Sequence, residues 1–379
     1  MTENKSSNLW QSNLVSILKL IILVYLFLLS LEMMGAALKL FGKDFSKSLI
    51  QTTTNPFIGL FIGILGTSLI QSSSTTTSMV VAMVAGGAFS NDMDVAIHLA
   101  IPLIMGANIG TSITNTIASL PQINRSNEFK RAFAAATVHD FFNYLSVLVL
   151  FPLQVYTNYL GKAASLMSDV FADVGGMKFL SPVKAITKPV VKLMEKNFEH
   201  LFGDKHLVGW VLLILAVAFL FSALKFIVDV LKSMVVSKAK AWFDKVLFKN
   251  SARAFLVGIL LTVLVQSSSI TTSLVVPLAG AGLLTLWQIF PYTLGANIGT
   301  TITAILAALV TGNIAAVTVA FSHLLFNISG IIIWYPLGKV PVTMAEKFAE
   351  YSTRSKLIPI AYVVVLFFIV PAIVIYLSQ

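Results

Sequence analysis

Apolar residues fall into long blocks separated by short polar stretches. Seven blocks are long enough to cross a membrane: Leu14–Phe41, Val95–Leu120, Phe129–Leu153, Leu207–Val236, Trp287–Val310, Ala315–Leu337 and Leu357–Leu377. About 20 residues of helix span the ~30 Å of bilayer hydrocarbon. Two further segments differ. Pro56–Ile70 and Thr75–Phe89 flank one Gln-Ser-Ser-Ser run, and Ala252–Val265 and Ile270–Leu284 flank another. Each arm has ~15 residues, short for a span and suited to a helix that dips in and returns to the same side. The pattern predicts two re-entrant hairpins, 56–89 and 252–284.

The two halves repeat each other. Gln71–Val81 matches Gln266–Val276 at nine of eleven positions, and Gly106–Leu120 matches Gly295–Leu309 at ten of fifteen. His139 and Asn143 correspond to His323 and Asn327. Chance similarity between membrane segments rests on shared Leu, Ile and Val, but many of the matched residues here are polar, which marks duplication. Each copy carries a leading span, a hairpin and two further spans. Three crossings are odd, so the second copy enters the bilayer inverted relative to the first.

The expected fold is therefore an all-α polytopic membrane protein of two inverted-topology repeats, each with a re-entrant hairpin and a broken transmembrane helix. Residues 1–153 form the first repeat, with the broken helix at 95–120 and a further helix at 129–153. Residues 154–206 form an extracytoplasmic linker. Residues 207–337 form the second repeat, with its broken helix at 287–310. A loop and a last transmembrane helix complete the chain at 338–379.

Composition agrees with a membrane chain and narrows its class. Of 379 residues, 57% are hydrophobic and 11% charged, against about a quarter charged in soluble domains; the mean hydropathy is +0.87. The net charge of +10 does not point to nucleic acid, because Lys and Arg sit in loops beside apolar segments. Lys238, Lys240, Lys245, Lys249, Arg253, Lys339, Lys347, Arg354 and Lys356 share a side with Lys5, Arg125 and Lys130. That side is the cytoplasmic one by the positive-inside rule, which puts the N-terminus inside and the C-terminus outside. The chain has no Cys, which excludes disulfides, thiolate metal sites and cysteine nucleophiles. The run Leu14–Leu31 is too long for a signal-peptide core and reads as a retained first span.

The candidate chemistry lies at the hairpin tips. Ser72–Ser78 are seven consecutive hydroxyl residues, and Ser267–Ser273 hold six in seven. Hydroxyls without partners are costly in lipid, so the cluster calls for a cavity or a ligand, although Ser and Thr also serve in ordinary helix packing. Where the chain reverses, the returning helix offers free N–H groups and its positive end at membrane depth. Ser72, Ser73, Ser74, Ser267, Ser268 and Ser269 are thus the candidate anion ligands, and a tetrahedral oxyanion suits them.

The runs Gly106–Thr111 and Gly295–Thr300 (both GANIGT) place two glycines and an Asn inside a span. A helix can break there, freeing carbonyls for a hard cation such as Na⁺, unless the glycines mark a close helix approach. Asn108, Thr111, Asn297 and Thr300 are candidate oxygen ligands. Thr75, Thr76 and Thr271 stand with them at the tips, and Gln71 and Gln266 suit either ion. His139 and Asn143, four apart on one face, suggest hydrogen bonding between helices. Asp140 has no acidic counterpart, since Leu324 follows the second His; a carboxylate at depth either pairs with Arg131 or receives a cation. Arg131 is also placed as a juxtamembrane anchor. Glu32, Lys225 and Asp229 are further ionisable residues within spans. No nucleophile–base set and no metal-ligand cluster is visible, so an enzyme is not expected.

At QSSSTTTS, GANIGTSITN and FKRAFAAATVHDFFN in the first copy, and QSSSITTS, YTLGANIGTTITAILAAL and HLLFNISGIIIWYPLG in the second, the chain resembles the type II sodium–phosphate cotransporters. The resemblance runs from about Asn55 to Leu377 outside the linker. It implies Na⁺-driven uptake of inorganic phosphate, both ions meeting where the hairpin tips converge, with no cofactor beyond Na⁺ as coupling ion. Arg131 is a further candidate phosphate ligand, and the resemblance implies that Asp140 is the position where electrogenic members keep Asp and electroneutral ones have Gly. Animal members carry a long, disulfide-bonded outer loop between the copies and a longer C-terminal region. The short linker and absent Cys fit a prokaryotic member of a cell membrane. From the residues alone, another oxyanion, a dicarboxylate or a passive channel remains open.

Overall fold

The computed structural model describes the backbone of residues 3–53, 55–173, 181–243 and 250–378, and within these the side chains of 15–41, 53, 55–171, 186–223, 226, 230 and 250–378. The side chains of Lys5, Lys225, Asp229, Lys238 and Lys240, and the whole of Lys245 and Lys249, lie outside the described residues. Among the described residues every regular element is a helix.

Seven helices are long and apolar enough to cross a membrane: Val15–Phe41, Met93–Gln122, Ser126–Thr157, Lys205–Ala223, Leu286–Thr311, Ile314–Trp334 and Leu357–Leu377. They coincide with the seven apolar blocks, and the chain is a multi-pass membrane protein. In chain order the first half comprises α1 (Glu3–Thr53), α2 (Pro56–Ile70), α3 (Ser73–Ala85), α4 (Met93–Gly110), α5 (Ile113–Ser119) and α6 (Ser126–Thr157). Then come α7 (Tyr159–Asp173) and α8 (Ser181–Phe202). The second half comprises α9 (Lys205–Phe243), α10 (Ser251–Val265), α11 (Ser268–Ser273), α12 (Val275–Gly280), α13 (Leu286–Thr311) and α14 (Ile314–Trp334). The chain closes with α15 (Lys339–Ser352), α16 (Leu357–Val364) and α17 (Val370–Leu377), the last two joined by a π-turn at Val365–Ile369.

Caps fix where these helices begin. Asn55 Oδ1 accepts from Phe57 N at 2.9 Å, with Pro56 at the first helical position of α2. The counterpart Asn250 accepts from Arg253 N at 2.9 Å to open α10. A helix start leaves N–H groups without intrahelical partners, and an Asn side chain supplies one acceptor.

Glycine then sets the spacing within each half. α2 packs on α4, and α10 on α13. A Cβ at Gly63 would collide with Leu103 O, and one at Gly106 with Leu60 O; in the second half Gly258 meets Tyr292 O and Gly295 meets Phe255 O in the same way. The four contacts occupy equivalent places in the two halves. Only hydrogen fits there, which lets the backbones approach within Cα–H···O distance.

Two features depart from the expected layout. The first GANIGT run ends α4 at Gly110, and α5 begins at Ile113, so that helix is interrupted; α13 runs through the second GANIGT run without a break. In α13 the two glycines serve close approach, since Gly295 and Gly299 abut the backbone of α10 at Phe255 and Ile259. The segments read as a linker and a loop also contain helices. In α7, Leu160 and Ala164 are buried and Met167 and Phe171 pack beside them, a spacing of four, three and four that forms one apolar face against α14. In α15, Val342, Ala345 and Ala349 are buried against α6.

The helices that follow each Gln-Ser-Ser-Ser run pack on their own half and also reach the other. α3 packs on α13 and α14, whereas α11 and α12 pack on α5 and α6. The exchange brings the candidate polar residues of both halves to one region.

Candidate functional site

The two tips have the same backbone. Gln71 has φ 56° and Gln266 φ 54°, both left-handed, a conformation that non-glycine residues adopt at a cost of about 1–3 kcal/mol. The next residue is extended, with φ −148° at Ser72 and −153° at Ser267, and each is an N-cap. Ser72 Oγ accepts from Thr75 N at 3.2 Å and from Thr75 Oγ1 at 2.8 Å; Ser267 Oγ accepts from Ile270 N at 3.4 Å. The reversal thus uses one strained residue followed by one capping serine, and a helix N-terminus starts directly after it.

The hydroxyls behind the tips are buried and only partly spent. Ser73, Ser74, Thr75, Thr76, Thr77 and Ser78 are buried, as are Ser268, Ser269, Thr271 and Thr272. Several bond back into their own helix: Thr76 Oγ1 donates to Ser72 O (3.1 Å) and Thr271 Oγ1 to Ser267 O (2.9 Å). Ser269 Oγ reaches Thr111 O at 3.5 Å. Ser74 and Ser78, four apart on α3, have buried hydroxyls with no partner, as do the equivalent Thr67 and Thr262. A buried hydroxyl left bare costs about 1–3 kcal/mol, so it is a place where a ligand gains affinity. Gln71 is exposed. Gln266 donates to Val263 O (2.7 Å) and accepts from Thr303 Oγ1 (2.7 Å).

The Asn residues of the GANIGT runs lie in a buried network that crosses between the halves. Asn297 Oδ1 accepts from His139 Nε2 at 2.6 Å, and its Nδ2 donates to Asn143 Oδ1 at 3.0 Å. Asn143 Nδ2 in turn donates to Asn108 O at 2.9 Å. In the mirrored arrangement Asn108 Nδ2 donates to Asn327 Oδ1 at 2.9 Å and its Oδ1 accepts from His323 Nε2 at 3.4 Å. The neighbouring hydroxyls of Thr111 and Thr300 donate to Ala107 O and Ala296 O, at 2.9 and 3.1 Å.

The mirror is imperfect: Asn327 Nδ2 turns back to His323 O at 3.1 Å, and the two histidines differ at Nδ1. Asn115 Nδ2 donates to His139 Nδ1 at 3.1 Å while its Oδ1 accepts from Thr272 Oγ1 at 2.8 Å. Ala304 occupies the matching place in the second half, and His323 Nδ1 is buried without a partner. With Nδ1 accepting and Nε2 donating, His139 is the neutral imidazole.

Asp140 lies next to this network, fully buried. Its Oδ2 accepts from Thr116 Oγ1 at 3.1 Å and from Tyr362 Oη at 2.8 Å, and its Oδ1 has no partner. Arg131 is not its counter-ion. The guanidinium caps the C-terminus of α12, with Nη2 donating to Gly280 O at 2.6 Å and Nε to the same oxygen at 3.0 Å. Arg131 also lines a cavity of 530 Å³ with Lys130, Thr285, Glu346, Lys347 and Glu350. There Lys130 pairs with Glu350 at 2.9 Å and holds that carboxyl below its ordinary range. Arg131 is therefore grouped with this charged cavity, whereas Asp140 is grouped with Tyr362.

Sequence reading did not single out Tyr362. It lies outside both copies of the repeat, in an apolar segment where one Tyr is unremarkable, and no periodicity connects it to position 140.

Compared with known proteins, residues 26–181 and 218–345 match the family profile described as Na+/Pi-cotransporter. The chain is 36% identical to the sodium-dependent phosphate transport protein 2B of Homo sapiens, an alignment covering 94% of this chain and 64% of that protein. It is 34% identical to the 2A protein of Rattus norvegicus, with 94% and 66% covered, and 34% identical to the 2A protein of Oryctolagus cuniculus, with 100% and 71% covered. The chain thus spans somewhat under two thirds of the human 2B protein. No solved structure matches it.

Proposed function

Because this chain belongs to the Na⁺/Pi-cotransporter family, we propose that it is a sodium-coupled symporter of inorganic phosphate that works by alternating access. The observation that carries this reading is the duplicated tip, a left-handed Gln, a capping Ser and a helix N-terminus backed by buried hydroxyls. Phosphate brings several acceptor oxygens and negative charge. Ser73, Ser74, Ser268 and Ser269, with the N–H groups that open α3 and α11, form the donor set. Na⁺ requires oxygen, and the Thr hydroxyls of the tips together with Asp140 Oδ1 supply it without a net charge penalty.

In this reading the two halves are inverted repeats and the helix pairs are re-entrant hairpins with opposed tips. Cytoplasmic basic loops orient the chain, with the N-terminus inside and the C-terminus outside. The cavity lined by Lys130, Arg131, Lys347, Glu346 and Glu350 is then the inner vestibule. One hairpin opens outward and the other inward, so the bound ions are exposed to each side in turn. A cycle that moves one net positive charge gains about 2.3 kcal/mol per 100 mV.

The test is uptake of labelled phosphate into proteoliposomes with and without an inward Na⁺ gradient. Uphill accumulation that collapses without Na⁺ is expected. Equal uptake under both conditions sinks the coupling, and Na⁺-driven uptake of another oxyanion in preference reassigns the cargo.

A further inference from the structure

Asp140 belongs to a polar cluster that the duplication did not copy. Aligning the halves at their GANIGT runs and at His139 and His323 sets Thr116 opposite Ile305, Asp140 opposite Leu324 and Tyr144 opposite Ile328. The same scaffold therefore closes in the second half with three aliphatic side chains. Thr, Asp and Tyr in the first half are not needed to complete the packing, and a buried carboxylate is expensive unless it is matched. The cluster is a site.

Its chemistry is incomplete at one atom. Asp140 Oδ2 is saturated by two donors, Tyr362 Oη at 2.8 Å and Thr116 Oγ1 at 3.1 Å. Oδ1 is buried with no partner, and the buried hydroxyl of Tyr144 stands beside that of Tyr362. The Ser112 hydroxyl stands beside the carboxylate, but its single proton is donated to Ile109 O at 2.9 Å. Asp140 Oδ1 and the neighbouring hydroxyl oxygens form an oxygen-only set, and with the Tyr144 proton turned away it suits a cation of oxygen preference.

Tyr362 comes from α16, outside both repeats, and its ring cannot swing away. Its centroid lies 4.8 Å from that of Phe348, 6.4 Å from Phe133 and 5.9 Å from Phe367. Phe367 is fully buried within the π-turn Val365–Ile369, and its centroid is also 6.4 Å from Tyr144. The extra residue of a π-turn rotates the helix locally, and such turns concentrate at functional positions. A carboxylate otherwise turns freely about its last torsion, since that rotation is broad. With Oδ2 tied to a wedged phenol, the orientation of Oδ1 is set before any ion arrives.

We propose that Tyr362 is a positioning residue of the coupling-ion site: its hydroxyl pins Asp140 Oδ2 so that Oδ1 is presented to Na⁺. The proposal rests on reading Na⁺ as the coupling ion, and its test does not require phosphate uptake. The full chain in detergent is titrated with Na⁺, choline keeping ionic strength constant, and the rise in melting temperature is followed.

Tyr362→Phe keeps the ring and removes one hydroxyl. It is expected to raise the half-saturating Na⁺ about tenfold, the low end for losing a hydrogen bond to a charged group. Thr116→Val removes the other donor and shifts the midpoint in the same direction. Tyr376→Phe, at an exposed position of α17, leaves it unchanged. In an Asp140→Asn background Tyr362→Phe adds nothing further, an outcome that a merely structural phenol would not produce. An unchanged Na⁺ midpoint in Tyr362→Phe, or the same shift with and without Asp140, overturns the proposal. Should this pattern hold while Na⁺ fails to drive phosphate uptake, the cargo reading falls and the positioning role stands.

Discussion

Asn108 and Asn327 are 219 residues apart in the chain, yet the amide of the first donates to the carbonyl oxygen of the second at 2.9 Å within a fully enclosed part of the molecule. The mirrored bonds from Asn297 to His139 and Asn143 tie the halves a second time. Asn297→Ala would leave two buried groups bare, each worth about 1–3 kcal/mol. A clear loss of thermal stability is expected in the purified protein, larger than for Gln71→Ala at the exposed tip. Equal melting temperatures would show that the network contributes little.

The tips give a prediction about affinity. Ser73→Ala and Ser268→Ala each delete one hydroxyl beside a helix N-terminus. A hydrogen bond to a charged group is worth about 1.5–3 kcal/mol, so the phosphate concentration for half-maximal uptake should rise by roughly tenfold or more. Surface expression should stay near that of the parent chain. Unaltered half-saturation in both variants would remove the tips from the phosphate site.

Asp140→Gly tests charge coupling separately. Removing the one acid of the buried cluster is expected to abolish phosphate-induced current under voltage clamp while some tracer uptake persists. Current that survives the substitution would place the additional charge elsewhere.

Glycine spacing predicts stability. A side chain at Gly106 or Gly295 meets the carbonyl of Leu60 or Phe255, and backbone cannot move aside as a side chain can. Gly106→Val and Gly295→Val should both reduce the yield of monodisperse protein severely. Gly66→Ala, where nothing lies within 4 Å, should be well tolerated. Normal yields for both valine variants would contradict the close approach.

Orientation is open to direct labelling, because the chain has no Cys and a single introduced thiol is seen without background. Lys347→Cys on α15 should react in intact cells only after permeabilisation, and Thr157→Cys at the end of α6 should react before it. The reverse pattern would invert the orientation.

The spans were legible because ~20 apolar residues in a row admit few alternatives. Duplication was legible from polar identities such as QSSS and GANIGT. Helices α7 and α15 are hard to read from the sequence, although their apolar residues recur every three or four positions, because charged residues lie between these and give the segments the composition of loops. The GANIGT glycines suggest a break twice, and the structure breaks once: Gly lowers helix propensity but also permits the close packing seen in both halves, and the packing does not explain why only the first helix is interrupted. Tyr362 was illegible in principle, since its role depends on a contact 222 residues away.

The paired glycines also have a mechanical consequence. Where two backbones touch, sliding one helix past the other would drive the neighbouring side chains into carbonyl oxygens. α2 with α4, and α10 with α13, are therefore struts with no internal freedom. Among the described residues, the backbone irregularities beside these pairs include the left-handed Gln71 and Gln266, the interruption at Thr111–Ser112 and the break at Leu274. In the alternating-access reading, the gating stroke is a motion of these stiff pairs about such points.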